Sequence, residues 1–194
     1  MPLYRIQNRV LTSLRPVLAD FYLTGGTALG RFYLNHRYSE DLDFFVNADP
    51  GFKEKHLVIG KKLHAEFSLL PEQTVVYDDF ARYFVVSENT VLKIEFVNDI
   101  SYRSGNPIDS KFGLIDNPLN VLSNKLTAIV GRDEPKDIFD IYMIARKYSF
   151  NWIRVFEEAK KKAVLNEIDV EQRIRSFPIE LLKNVDWFLQ PFDQ

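Results

Sequence analysis

The sequence predicts an α/β (α+β) protein: a mixed sheet flanked by helices, followed by a helical C-terminal lobe. Three observations predict it. Short apolar or alternating segments, separated by turn residues, fill the first hundred residues. Past Ser104-Gly105-Asn106-Pro107 the pattern changes to helical periodicity with clear start signals. A 46% hydrophobic content, with 16 Phe and 9 Tyr in 194 residues, suffices for a packed core and argues against disorder. The Ser104–Pro107 loop is the natural boundary, so the expected lobes are 1–106 and 107–194.

The elements follow in order. Leu3 to Ala19 reads as an amphipathic helix with Ile6, Val10, Leu14 and Val17 on one stripe, its last turn disturbed by Pro16. Phe21 to Leu23 is a short buried strand, broken by Gly25-Gly26. Thr27 to Asn35 is a helix, and Asp41 to Val46 the next strand. Phe52 to Phe67 is helical and carries Lys53, Lys55, Lys61 and Lys62. Thr74 to Val76, Arg82 to Val86 and Val91 to Val97 are strands joined as hairpins at Asp78-Asp79 and Glu88-Asn89. Beyond the loop almost only helix is expected. Asn117-Pro118 is an N-cap followed by proline at the first helical position, and Gly131 is a stop. Pro135 opens a helix running to about Tyr148. Trp152 opens another, with Glu157–Lys161 and Glu158–Lys162 pairs on its wet face.

Phe21 to Val46 carries the chemistry. A Gly-Gly turn before a helix brings backbone N–H groups close to a phosphate. Asp41 and Asp43, one residue apart on a strand, point to one face, while Leu42 and Phe44 point to the other. Two neighbouring carboxylates repel unless a proton or cation intervenes, and Mg²⁺ resolves that while attracting phosphate oxygens. The plainer reading is an edge strand with two solvated aspartates. On the strand VLKIEFV, Lys93, Glu95 and Val97 share a face. Glu95 is a charge inside an apolar strand and needs a partner, either a metal shared with Asp41 or a cross-strand Lys or Arg.

Lys125 lies on a largely apolar helix surface, and Arg132, Lys136, Asp137 and Asp140 cluster after it around a turn. Lys125 and Asp137 can meet across adjacent helices, either around a triphosphate or as an interhelical salt bridge. Ser39 either joins the metal face or ends a loop. His36 and Arg37 read as helix-end caps, with Arg37 also able to reach a phosphate. His56 and His64 read as structural or surface residues. The Lys160–Lys162 run reads as a solvated face unless the lysines of Phe52–Phe67 and Trp152 share its cleft, where they would grip RNA.

These residues, GGTALGRFYLNHRYSEDLDFF above all, resemble the first motif of the AbiEii/AbiGii (MenT-like) toxin family, within the polymerase-beta-type nucleotidyltransferase superfamily. The superfamily pattern of Gly-Gly, helix, Asp-x-Asp and a third carboxylate falls on Gly25, Gly26, Asp41, Asp43 and Glu95. The family's later lysine and its K-D-x-x-D element resemble Lys125 and Lys136–Asp140. The resemblance implies a nucleotidyltransferase-type sheet and Mg²⁺-dependent transfer of a nucleotide from an NTP to an acceptor. It implies metal ligands Asp41, Asp43 and Glu95, with two ions bridged by the aspartates. The triphosphate would be bound by Gly25, Gly26, Thr27, Ser39 and Lys125, with Asp137 orienting Lys125. For some members the implied acceptor is the 3′ end of tRNA, in a toxin–antitoxin or abortive-infection system with a cognate antitoxin. A binding-only member of the fold, a metal-dependent nuclease and a small-molecule nucleotidyltransferase are the alternatives.

Composition narrows the rest. The chain has no Cys, which excludes disulfides, thiolate metal sites and a cysteine nucleophile, and fits a cytoplasmic location. No apolar run reaches membrane-spanning length, and the first residues lack a signal-peptide core, so no membrane partner is expected. At a net charge of −2, binding of RNA would need a local basic patch.

Overall fold

The computed structural model describes residues 2–87, 89–183 and 185–189. Glu88, half of the expected Glu88-Asn89 turn, lies outside them. The chain divides into two compact units, Met1–Thr27 with Glu40–Ser101 and Pro107–Asp116, and Ala28–Ser39 with Tyr102–Asn106 and Asn117–Gln194. This differs from a single cut at 106/107, because each unit draws on separated stretches of chain.

The first unit holds the sheet, and its longer strands follow from alternation. Helix α1 (Pro2–Leu14) ends in a 3₁₀ turn, Arg15–Val17, at Pro16. Strand β1 (Tyr22–Thr24) runs directly into helix α2 (Gly25–Ala28). Strand β2 (Leu42–Asn47) buries Leu42, Phe44 and Val46 and turns Asp43, Phe45 and Asn47 the other way. Helix α3 (Phe52–Glu66) is followed by the short strands β3 (Ser68–Leu69) and β4 (Val75–Val76). Strands β5 (Phe80–Ser87) and β6 (Thr90–Asp99) form the long hairpin, and the expected turn at Asp78-Asp79 joins β4 to β5. The strand order is β3-β5-β6-β2-β1-β8-β7, with β4 also on β5; β2–β6 and β1–β8 are parallel and the other pairs antiparallel. Phe21, Phe44, Phe52 and Phe96 interlock at the centre of its core, with Phe44 and Phe96 stacked at 5.2 Å.

Two of those strands depart from the expectation of almost only helix after residue 106. Ile108–Ser110 (β7) and Gly113–Ile115 (β8) form a hairpin, and β8 pairs with β1. Three-residue strands are too short to show a period, and only pairing to a distant partner makes them strands. Gly113, at φ +105°, takes the turn conformation that L side chains rarely adopt.

The second unit is helical. Residues Leu29–Leu34 form a π-helical stretch ended by Asn35 in the left-handed region, whose N–H bonds Gly30. Helices α4 (Pro118–Gly131), α5 (Pro135–Lys147), α6 (Trp152–Lys160) and α7 (Glu167–Ser176) follow, α4 capped by the Asn117 side chain on the Asn120 N–H. Leu122, Leu126, Ile129, Ile144, Val155 and Val170 form its core together with Leu29. The expected Glu157–Lys161 and Glu158–Lys162 pairs are replaced. Lys161 pairs with Glu158 at 3.1 Å, and Lys162 donates to Asn120 and Asn124 side chains and the Ser123 hydroxyl. Glu158 is nearly buried and accepts from Tyr102, so it faces the unit's interior and not water.

Candidate active site

The glycine bend and the acidic strand meet because β1 and β2 are antiparallel neighbours. Thr24 lies opposite Asp43, so the residue after it, Gly25, is carried over the Asp43 side chain. Gly25 has φ +67°, and a Cβ there would lie 3.1 Å from Asp43 Oδ2. Glycine is therefore required twice, by backbone conformation and by the carboxylate above it. Two further bonds hold the bend. The Thr24 hydroxyl donates to buried Asp116 Oδ2 at 2.6 Å, and the Thr27 hydroxyl donates to the Asp41 carbonyl.

The third carboxylate comes from the parallel pairing of β2 with β6, which sets Asp43 beside Glu95. Alternation puts Lys93 and Glu95 on the face opposite buried Leu92, Ile94 and Phe96, and Arg82 lies opposite Glu95 across the β5–β6 hairpin. The expected cross-strand partner of Glu95 is thus Arg82, and Asp43 is its neighbour in register. Arg82 Nε donates to Glu95 Oε1 at 2.6 Å. Lys93 Nζ lies 2.9 Å from Asp41 Oδ2 and 3.4 Å from Glu95 Oε2. Burial opposes the Lys93 charge, but the bond it donates to Asp41 and the field of Asp41, Glu95 and Asp43 win, so its pKa is raised.

The donors fit a divalent cation by chemistry. Asp41, Asp43 and Glu95 are hard oxygen donors on adjacent strands, and the Lys93 ammonium already bridges two of them. As they stand, no three carboxylates or histidines among the described residues are placed to hold a metal ion. Lys93 and Arg82 draw the Asp41 and Glu95 oxygens towards themselves.

The other expected site residues lie in the second unit and form a buried ion network there. Lys125 Nζ is 2.6 Å from Asp137 Oδ1 and 2.7 Å from Asp140 Oδ2. The interhelical salt bridge is thus present, and it is extended. Arg37 grips Asp140 with Nε and a terminal nitrogen at 2.6 and 2.7 Å. His36 Nε2 is 2.7 Å from the same carboxylate, and its ring stacks on Phe139. Arg132 closes the network on Asp137 at 2.7 Å. Asp140 is fully buried, which would raise its pKa, yet Lys125, Arg37 and His36 together hold it far below the ordinary carboxylate range. His36 and Arg37 are therefore not helix caps. The segment His36–Tyr38 is further pinned by a β-bridge to Phe188, with the Tyr38 N–H donating to the Trp187 carbonyl at 2.7 Å. Ser39 is buried beside this segment in the chain.

Several of the other lysines singled out in the sequence have acidic partners. Lys53, Lys55 and Lys62 pair with Asp78, with Asp20 and Asp49, and with Glu66, while Lys160 pairs with Glu167. His64 Nδ1 is 2.9 Å from the Gly60 carbonyl and His56 is buried in the core, both structural as expected. Sequence reasoning missed Asp116 and Asp140 as organisers of the two clusters. A carboxylate directly preceding the Asn117 N-cap, and the i+3 spacing of Asp137 and Asp140, were the available signals.

Residues 9–99 match the family described as "Nucleotidyl transferase AbiEii toxin, Type IV TA system". The matched segment covers a little under half of the chain. This segment contains Gly25, Asp41, Asp43 and Glu95. An uncharacterised protein of Aquifex aeolicus is 25% identical over 156 residues; the match covers 74% of this chain and 66% of that protein, so the chain spans about two thirds of that relative's length. The structure of JHP933 from Helicobacter pylori is similar with a TM-score of 0.62 at 19% identity, over 93% of this chain and 78% of that one. The nucleotidyltransferase toxin MenT4 from Mycobacterium tuberculosis is similar with a TM-score of 0.59 at 18% identity, over 95% and 84%. At such identities the solved structures speak for the fold, which is that of a nucleotidyltransferase. Among the described residues no helix is long and apolar enough to cross a membrane.

Proposed function

We propose that the chain is a toxin of the AbiEii type that transfers a nucleotide from an NTP to an acceptor hydroxyl, the acceptor being the 3′ end of a tRNA. The observation that carries this reading is the Gly25 bend seated against the Asp43 carboxylate, with Glu95 in register beside Asp43. Asp41 and Asp43 would hold Mg²⁺, and Glu95 would complete the ligand set. When bound, such a cation lowers the pKa of an acceptor hydroxyl and neutralises phosphate oxygens.

The chain's own part is positioning. Backbone N–H groups at Gly25, Gly26 and Thr27 bind the triphosphate, and the absence of a side chain at Gly25 lets it approach. The acceptor oxygen bonds to the α-phosphorus as the bond to pyrophosphate breaks, and the hydroxyl proton passes to solvent. The chemistry needs little beyond alignment and charge neutralisation. The resemblance alone assigns Lys125 to a phosphate oxygen; in the second unit its ammonium pairs with Asp137 and Asp140. A cytoplasmic location and a cognate antitoxin belong to the same proposal.

The test is direct. Incubated with total RNA, Mg²⁺ and each labelled NTP in turn, the protein should lengthen an RNA, and Asp41→Ala should not. Shortened RNA would replace this reading by a nuclease. NTP binding without pyrophosphate release would replace it by a binding module.

A further inference from the structure

The Lys93 ammonium bridges two of the proposed metal ligands, at 2.9 Å from Asp41 and 3.4 Å from Glu95. Its own backbone position explains why. Residues i and i+2 of a strand share a face, so Lys93 and Glu95 emerge together. The pairing of Leu42 with Ile94 places Asp41, one residue earlier, next to Lys93. The ammonium is thus carried into the site by the same strand that supplies the third carboxylate.

The acidic side chains of this face are already partnered by cations. Among the described residues Lys93 and Arg82 lie against this acidic face, and Arg82 takes the far oxygen of Glu95. A divalent ion entering between Asp41 and Glu95 would have to break both Lys93 contacts and would then be repelled by an ammonium a few ångströms away. Lys93 is only 29% exposed and Asp41 39%, so water screens that repulsion only in part.

We propose that Lys93 is a built-in competitor for the metal, an internal counter-cation that must leave Asp41 and Glu95 before a divalent cation can bind. This rests on the metal site assigned above. It makes Lys93 a positioning residue, since it acts through the carboxylates and not on the nucleotide. Its consequence is a weakened affinity for free divalent cation.

The experiment is Mn²⁺ binding followed by the electron paramagnetic resonance signal of free Mn²⁺, without nucleotide, for the wild type, Lys93→Met, Lys93→Arg and Asp41→Asn. Lys93→Met keeps the alkyl stem and should bind Mn²⁺ about tenfold tighter. Lys93→Arg, which keeps the charge, should stay within about twofold of wild type. Thermal unfolding of each variant establishes that it is folded; if Lys93→Met is not, Lys93→Gln replaces it. Loss of binding in Asp41→Asn together with unchanged or weaker binding in the neutral Lys93 variant would overturn the competitor and leave the metal site standing. Binding that is indifferent to Asp41→Asn, or absent in every protein, would remove the metal site and the competitor with it.

Discussion

The two charge clusters use the same residue types and lead to different chemistry. On the sheet, Asp41, Lys93, Glu95 and Arg82 pair while still reaching water, with side chains 16–39% exposed. In the helical unit, Asp140 is fully buried, and Arg37 and Lys125 nearly so. An exposed pair exchanges partners at little cost, since its contribution is about 0–1 kcal/mol. A buried charge cannot, because the loss of one partner leaves the others desolvated and unpaired. The sheet cluster is therefore suited to exchanging a lysine for another cation, and the helical cluster to holding Arg37 and Lys125 in place.

That contrast can be broken most forcefully at Asp140. Asp140→Ala removes the carboxylate on which Arg37, Lys125 and His36 converge, and should cost about 3–5 kcal/mol in a urea titration. A loss below about 1 kcal/mol would mean the buried network relaxes as easily as the exposed one. Asp41→Ala tests the other side. It should reduce transfer of labelled nucleotide at least about a hundredfold, while shifting unfolding by no more than about 0.5 kcal/mol. Gly25→Ala lies between the two kinds of effect. The positive φ alone costs about 1–2 kcal/mol, and the new methyl would press on the Asp43 carboxylate, so stability and transfer should fall together.

A further expected effect is a pH dependence to which Glu158 of the helical unit contributes. The Tyr102 hydroxyl, opposed by burial and aided by Ser104 and Lys161, lowers the Glu158 pKa to about 2. A depressed folded-state pKa contributes stability that is present above the unfolded value, about 4.3, and is lost as pH falls through the folded one. Unfolding free energy should therefore decline between about pH 4.5 and 2, and Tyr102→Phe should flatten that decline. Asp140, lowered much further, begins to lose its contribution in the same window and goes on losing it at lower pH.

Much of this was readable along the chain. The β2 and β6 strands were legible because period-two alternation over six or more residues is a local signal, and it already assigned Asp43 and Glu95 to faces. The α4, α5 and α6 starts were legible because Asn or Pro at a helix N-terminus acts on its own backbone. The β7–β8 hairpin was not, since its strands are defined by pairing with β1 across some ninety residues of chain. Nor was the role of His36 and Arg37, whose partner Asp140 lies over a hundred residues away.

From the sequence alone came the residue types, their spacing and the faces they take: a glycine pair before a helix, two aspartates on one side of a strand, a glutamate two residues after a lysine. Local stereochemistry decides those, and it acts over a few residues. Only the tertiary structure decided who meets whom. Antiparallel β1–β2 pairing set Gly25 on Asp43, parallel β2–β6 pairing set Asp43 beside Glu95 and Lys93 beside Asp41, and burial separated a cluster that can exchange its cations from one that holds them. Register and desolvation are properties of the assembled fold, and no single segment of the chain carries them.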